Sequence, residues 1–108
     1  MITIDKTQPL VTLINVHVCK AEDQQQLADL LAEGVESIYR HAPGFISASI
    51  HKSLDGVRVT NYAQYRSRED VKAVWANPAI PAFAQKVGEL VESFDAHLYE
   101  ITETISVS

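Results

Sequence analysis

Residues 45–66 read FISASIHKSLDGVRVTNYAQYR. Two runs rich in β-branched and aromatic residues, Phe45 to Lys52 and Val57 to Arg66, flank Ser53-Leu54-Asp55-Gly56. Asp-Gly between such runs is a strong β-hairpin signal. Side chains alternate across a strand, so the loop length decides which of them share a face. A three-residue loop, Leu54-Asp55-Gly56, pairs His51 with Val59, Ser49 with Asn61 and Phe45 with Tyr65, all on one side of the sheet. A two-residue turn puts His51 and Asn61 on opposite sides. The three-residue loop is expected, because it gives Gly56 the position that demands positive φ. Asn61, Ala63 and Tyr65 then face one way, and Tyr62 and Gln64 the other.

Working outward from the hairpin, residues 10–19 (LVTLINVHVC) are β-branched and too short for a helix, which predicts a strand. It is apolar on both faces apart from Asn15 and His17, as suits a strand covered on both sides. From Glu22 to His41, Leu27, Leu30, Leu31, Val35 and Ile38 recur at helical steps. Glu22 and Asp23 at the start and Arg40 and His41 at the end complement the helix dipole, and Ala42-Pro43-Gly44 stops the helix. Beyond the hairpin, Ser67 with Asp70 is a weaker form of the capping box, and Val71, Val74 and Trp75 form a stripe. Asn77-Pro78 interrupts, and Pro81 suits the first turn of another helix carrying Phe83, Val87, Leu90 and Val91. Phe94 to Thr104 has strand character.

The order β-α-β-β-α-α-β is that of the split βαβ, ferredoxin-like fold: α+β, one antiparallel sheet, helices on one face. The other face, expected to carry Ile46, Ala48, Ile50 and Tyr62, needs a cover. A second copy packed sheet to sheet supplies one, so a homodimer is expected.

The chain has 108 residues, 46% of them apolar, and suits one globular domain, with residues 1–9 expected to be a flexible N-terminus. A net charge of −5 without any basic run argues against a nucleic-acid partner and against a membrane surface. The N-terminus does not read as a signal peptide, no run of about 18 apolar residues occurs, and the lone Cys19 cannot form an internal disulfide. A cytoplasmic location is the expectation. There is no P-loop, G-x-G-x-x-G or G-x-S-x-G. His17, His41, His51 and His97 lack metal-ligand spacing, so no metal is expected.

The informative cluster is His51, Asn61 and Tyr65. In the expected register an imidazole, a carboxamide and a phenol share the helix side of the sheet, and polar groups there need partners. They either satisfy one another and the backbone, or converge on a cavity beneath Trp75 and Phe83 where a ligand completes their bonds. Asn15 and His17 fit the same side if the first strand is central. Tyr39 and Arg40 read as surface or rim groups.

PGFISASIH (Pro43 to His51), DG (Asp55-Gly56) and NYAQY (Asn61 to Tyr65) followed by Ser67 resemble the antibiotic biosynthesis monooxygenase family of dimeric α+β barrels. The resemblance implies a monooxygenase that oxidises a phenolic or quinone-like aromatic small molecule with O2, with no cofactor. Triplet oxygen reacts poorly with closed-shell molecules, but an electron-rich phenolate can pass it an electron. Asn61 would donate a hydrogen bond to the oxyanion or peroxide. His51 would accept or relay the proton. Tyr65, where a family member has Trp, would be an aromatic wall. Trp75 and Phe83 over that cavity, Asn15 on the first strand and, at a position the resemblance points to, Val71 are the candidate substrate-binding residues. Val71 stands where that member has Tyr, and Ala84, Gln85 or Lys86 where it has Arg, which alters how a polyphenol is held. The haem-degrading branch of the fold is disfavoured. Asn15 aligns with an Asn of that branch, but AFAQK (Ala82 to Lys86) lacks its axial His. The other reading is a non-catalytic ligand-binding or stress-related dimer. An enzyme should bury Asn61 and His51 within hydrogen-bonding reach of one open volume; a relic should fill that volume with Trp75, Phe83 and Tyr65.

Overall fold

The structure, a computed structural model describing residues 2–107, runs β1 (Val11–Cys19), α1 (Gln24–Ser37), β2 (Phe45–Lys52), β3 (Arg58–Tyr65), α2 (Arg68–Trp75), α3 (Ile80–Gly88) and β4 (Val91–Tyr99). The strands form one antiparallel sheet in the order β2-β3-β1-β4. This is the expected α+β, ferredoxin-like arrangement. The last strand starts at Val91, three residues before the expected Phe94, because the chain turns directly after α3 through Leu90 N–H to the Val87 carbonyl, 3.0 Å.

The hairpin departs from expectation in one residue of register. Gly56 does take positive φ, +84°, yet the loop runs from Leu54 to Val57, with Ser53 N–H bonded to the Arg58 carbonyl at 3.0 Å. Side chains stabilise this longer loop. Ser53 Oγ accepts from Arg58 N–H at 3.0 Å, Asp55 Oδ1 accepts from Val57 N–H at 3.2 Å, and the Val57 carbonyl is taken by Cys19 N–H at 2.9 Å. Gln24, in the first turn of α1, donates to the carbonyls of both Ser53 and Arg58 at 3.0 Å and so ties the strand ends together. His51 therefore pairs with Thr60 and Ile50 with Asn61. A shift in register between Phe45 and Ser47 leaves Ile46 unpaired and restores the expected pairing of Phe45 with Tyr65.

The consequence is a change of face. Ala48 and Ile50, expected on the open side, lie on the helix side and pack against the buried cores. Ser47, Ser49 and His51 occupy the open side with Thr60, Tyr62 and Gln64 of β3 and Thr12, Ile14, Val16 and Val18 of β1. That face is less apolar than the sequence suggested. Its fully buried member, Gln64, accepts from Ser47 Oγ at 2.7 Å and donates to the Thr3 carbonyl at 2.8 Å.

On the helix side the core is in two parts. Leu13, Ala63, Tyr65, Val71 and Val74 pack under α2. Cys19, Leu27, Ala28, Leu31 and Val59 pack under α1. The buried stripe of α1 is Gln24, Leu27, Ala28, Leu31 and Gly34, while Leu30, Val35 and Ile38 are only partly covered. Gly34 belongs to it because Phe83 of α3 sits directly over it: a Cβ built there would lie 2.2 Å from Phe83 Cζ. No residue of α3 is fully buried.

Helix α2 begins as its sequence requires. Ser67 is extended at φ −157°, its hydroxyl accepts from Asp70 N–H at 3.2 Å and donates to Asp70 Oδ2 at 2.9 Å. Ser67→Ala is expected to lower stability by about 1 kcal/mol, read as a shift in the urea midpoint with an unchanged slope.

Candidate active site

One polar rung of the sheet, with His17 beside it, lies between the two cores. On the helix side Leu13 opposes Ala63, then Asn15 opposes Asn61, then His17 opposes Val59. Over Asn15, His17 and Asn61 lies a cavity of about 490 Å³, within the usual size of a small-molecule site. Leu31 of α1, Tyr39 just after it, and Phe83, Ala84, Val87 and Gly88 of α3 form its roof; Val91, Glu92, Ser93 and Phe94 of β4 border its end. Helix α3 spans this space instead of closing on the sheet, which explains why its apolar side chains stay partly exposed. Tyr39 and Phe83 meet edge to face at 5.9 Å, so an aromatic wall stands over a polar floor.

The floor is unsatisfied. Asn15 Oδ1 and Asn61 Oδ1 are buried with no hydrogen-bond partner among the described residues. A buried polar group left unpaired costs about 1–3 kcal/mol, and both of these carboxamides belong to residues that line the same cavity.

His17 is satisfied at one nitrogen. Its Nδ1 is 3.2 Å from the Val59 carbonyl, and a carbonyl only accepts, so Nδ1 carries the proton and Nε2 is the lone-pair nitrogen. Burial depresses its pKa below the usual value, partly offset by the bond to Val59. Phe94 stacks on its ring at 6.4 Å.

Of the residues singled out from sequence, Asn61, Asn15 and Phe83 meet at the cavity. His51 does not join them: the longer loop turns it to the opposite face, where Nε2 lies 2.7 Å from Ser49 Oγ in an exposed position. Tyr65 is on the helix side as expected but is buried in the core, edge-on to Phe45 at 5.6 Å. Val71 is buried in that same core, and Trp75, expected over the cavity, ends α2 at 53% exposure and lines no part of it. The open volume is thus not filled by Trp75, Phe83 and Tyr65. Sequence reasoning undervalued Tyr39 and left His17 in second place; its two-residue spacing from Asn15 was the available signal. Phe94, read only as the start of a strand, gave none. Among the described residues no three His, Cys, Asp or Glu side chains come together to hold a metal ion, and no helix is long and apolar enough to cross a membrane.

The phenols set a pH limit. Burial raises the pKa of Tyr39, and burial with the nearby Tyr39 pushes Tyr65 up to about 12. A raised folded pKa favours the neutral form, so this contribution is complete below pH ~10 and lost as pH climbs from there towards 12. The melting temperature should hold to about pH 10 and then fall, and Tyr65→Phe should flatten that fall. His17 acts on the other side: its depressed pKa favours neutral imidazole, and stability declines as pH drops below ~6.5.

Residues 10–86 match the model of the antibiotic biosynthesis monooxygenase family. Over 80 residues the chain is 45% identical to tetracenomycin-F1 monooxygenase of Streptomyces glaucescens, covering 74% of this chain and 71% of that one. A Streptomyces coelicolor monooxygenase solved with the ligand nanaomycin D superposes with a TM-score of 0.80 at 28% identity, covering 96% of both chains. A cofactor-independent oxygenase of Streptomyces nogalater shares the fold, with a TM-score of 0.80 at 15% identity over 90% of this chain and 97% of the other. With a match over most of its length, a relative at 45% identity and the same fold throughout, the chain belongs to the antibiotic biosynthesis monooxygenase family.

Proposed function

We propose that this protein oxidises a polycyclic aromatic phenol with O2, without a metal or organic cofactor, in the cavity over Asn15 and Asn61. The observation that carries the reading is the pair of unpartnered carboxamides under an aromatic wall. A fused-ring phenol satisfies both halves: its rings meet Phe83 and Tyr39, and its oxygen meets the amides. The stoichiometry needs no reductant. A phenol with a free para C–H plus O2 gives a quinone plus water, and all the electrons that oxygen takes come from the substrate. The protein's part is to hold the phenolate, exclude water and hydrogen-bond the oxygen that becomes anionic. The likeness to tetracenomycin-F1 monooxygenase and to the S. coelicolor monooxygenase that binds nanaomycin D supports this reading.

The working form we infer is a homodimer through the open sheet face, where Ile14, Val16, Val18 and Tyr62 stay only half covered in the single chain. Sedimentation should give twice the chain mass.

The test is oxygen uptake with a panel of anthrones and hydroxynaphthalenes, using protein freed of metals and flavin. Uptake matched mole for mole by quinone product is the expected result. Binding of the same compounds without uptake would instead assign the protein to the non-catalytic ligand carriers.

A further inference from the structure

The floor of the cavity holds one group able to take a proton, and it is not the histidine that the sequence motif offered. We propose that His17 Nε2 accepts the proton of the substrate phenol and so generates the anion that reacts with O2. This rests on the oxygenase reading above, and the experiment below separates the two.

Four observations converge on His17. It lies on β1 two residues from Asn15, on the same face, beside the unpartnered amides of Asn15 and Asn61. It lines the cavity although it is only 4% exposed. Its Nδ1–H is committed to the Val59 carbonyl, which fixes the tautomer, and the Phe94 ring lies alongside with centroids 6.4 Å apart. No described residue bonds its Nε2. An imidazole held this way is an oriented acceptor with one free lone pair.

The other ionisable groups near the cavity serve less well. Tyr39 is a phenol that burial makes harder to ionise. Glu92, on β4, is exposed at the open end. Cys19, two residues further along β1, is buried and its thiol is pushed up by burial and by Asp23 and Glu92. The roof from α3 carries no charge among the lining residues.

The step balances simply. The substrate O–H bond breaks, an Nε2–H bond forms, the electron pair stays on the phenolate oxygen, and the imidazolium remains bonded to Val59 and to the new anion. No electron is transferred until O2 arrives. The proton held on Nε2 returns to oxygen when water leaves.

The decisive measurement is anaerobic and independent of turnover. 4-Nitrophenol is added to saturation at a pH below its own pKa, and its phenolate band is followed. The parent protein is expected to bind it as phenolate. His17→Asn, whose Nδ2 can still donate to the Val59 carbonyl, is expected to bind it as the neutral phenol. Imidazole added to that variant should restore the band. Neutral phenol bound by the parent, or phenolate retained by His17→Asn, would overturn the proposal. In oxygen-uptake assays kcat/KM of the parent should level off above the histidine pKa, whereas His17→Asn should keep rising towards the substrate's own pKa. A His17-dependent phenolate band with no uptake on any substrate would leave the base assignment standing and remove the oxygenase reading.

Discussion

An Asn61→Ala variant is expected to lose turnover about 10²–10³-fold while melting at or above the temperature of the parent. The two effects have one origin. Asn61 is held at the middle of β3, directly opposite Asn15, and its carboxamide makes no bond within the described protein. Removing it takes away a buried polar group that the fold leaves unpaired, so stability does not suffer as it does when a bonded group is cut. The same deletion takes from the reacting phenol or peroxide a donor already in position, and donors aimed at a developing oxyanion carry effects of that size. Initial rates of oxygen uptake and differential scanning calorimetry on the same preparation check both halves. Falling stability with unchanged turnover would make Asn61 a structural residue. His51→Ala is the matched control: this side chain lies on the opposite, dimer-facing side of the sheet with Ser49 as its partner, and a variant that still sediments as the parent does should keep turnover near that of the parent.

The second large effect is expected at Gly34→Ala. The added methyl would meet Phe83 at 2.2, 2.6 and 2.8 Å from three ring atoms, far inside contact distance. Gly34 has no positive φ, so the conflict is one of space and not of backbone conformation. Helix α1 is anchored by the fully buried Leu27, and the ring of Phe83 is the part able to yield. It can move only by turning into the cavity or by lifting α3. Overpacking of this kind costs about 1–3 kcal/mol. The larger functional sign is a rise in KM for fused-ring substrates with a smaller change in kcat, because the wall moves and the floor stays. Phe83→Ala in the same chain removes the clash, and the double variant should be more stable than the sum of the single changes predicts. Additive losses would mean that the two residues do not press on each other.

The sequence made the fold legible through periodicity. The apolar steps in α1, the Ser67 cap and the Asp55-Gly56 turn each produced the element they imply. It made half of the candidate site legible for the same reason: Asn15 and Asn61 stand at positions whose alternation puts them on the helix side. The misplacement of His51 has a small physical cause. Glycine in the left-handed region is compatible with loops of three and of four residues, and the choice fell to the bonds of Ser53, Asp55 and Gln24. Those bonds join residues whose partnership a local reading does not foresee. Trp75 was misassigned because a helical stripe says that a face is covered without saying how far the cover reaches. Tyr39 was undervalued because it follows α1 in a short 3-10 turn, where helical spacing no longer tells where a side chain points.

The unpaired Ile46 has a consequence for how this strand could change. Between Ile46 and the hairpin tip, Ser47 to Lys52 run one step out of phase with Phe45, and the two irregularities cancel. Loss of a single residue from the Leu54–Val57 loop would remove the need for the compensating step. The segment would slide by one place, Ser49 would come to lie opposite Asn61, and His51 would swing to the cavity side, while Phe45 stayed docked on Tyr65. A hydroxyl and an imidazole are therefore stored on the outside of this sheet, one deletion away from a different set of reagents inside it.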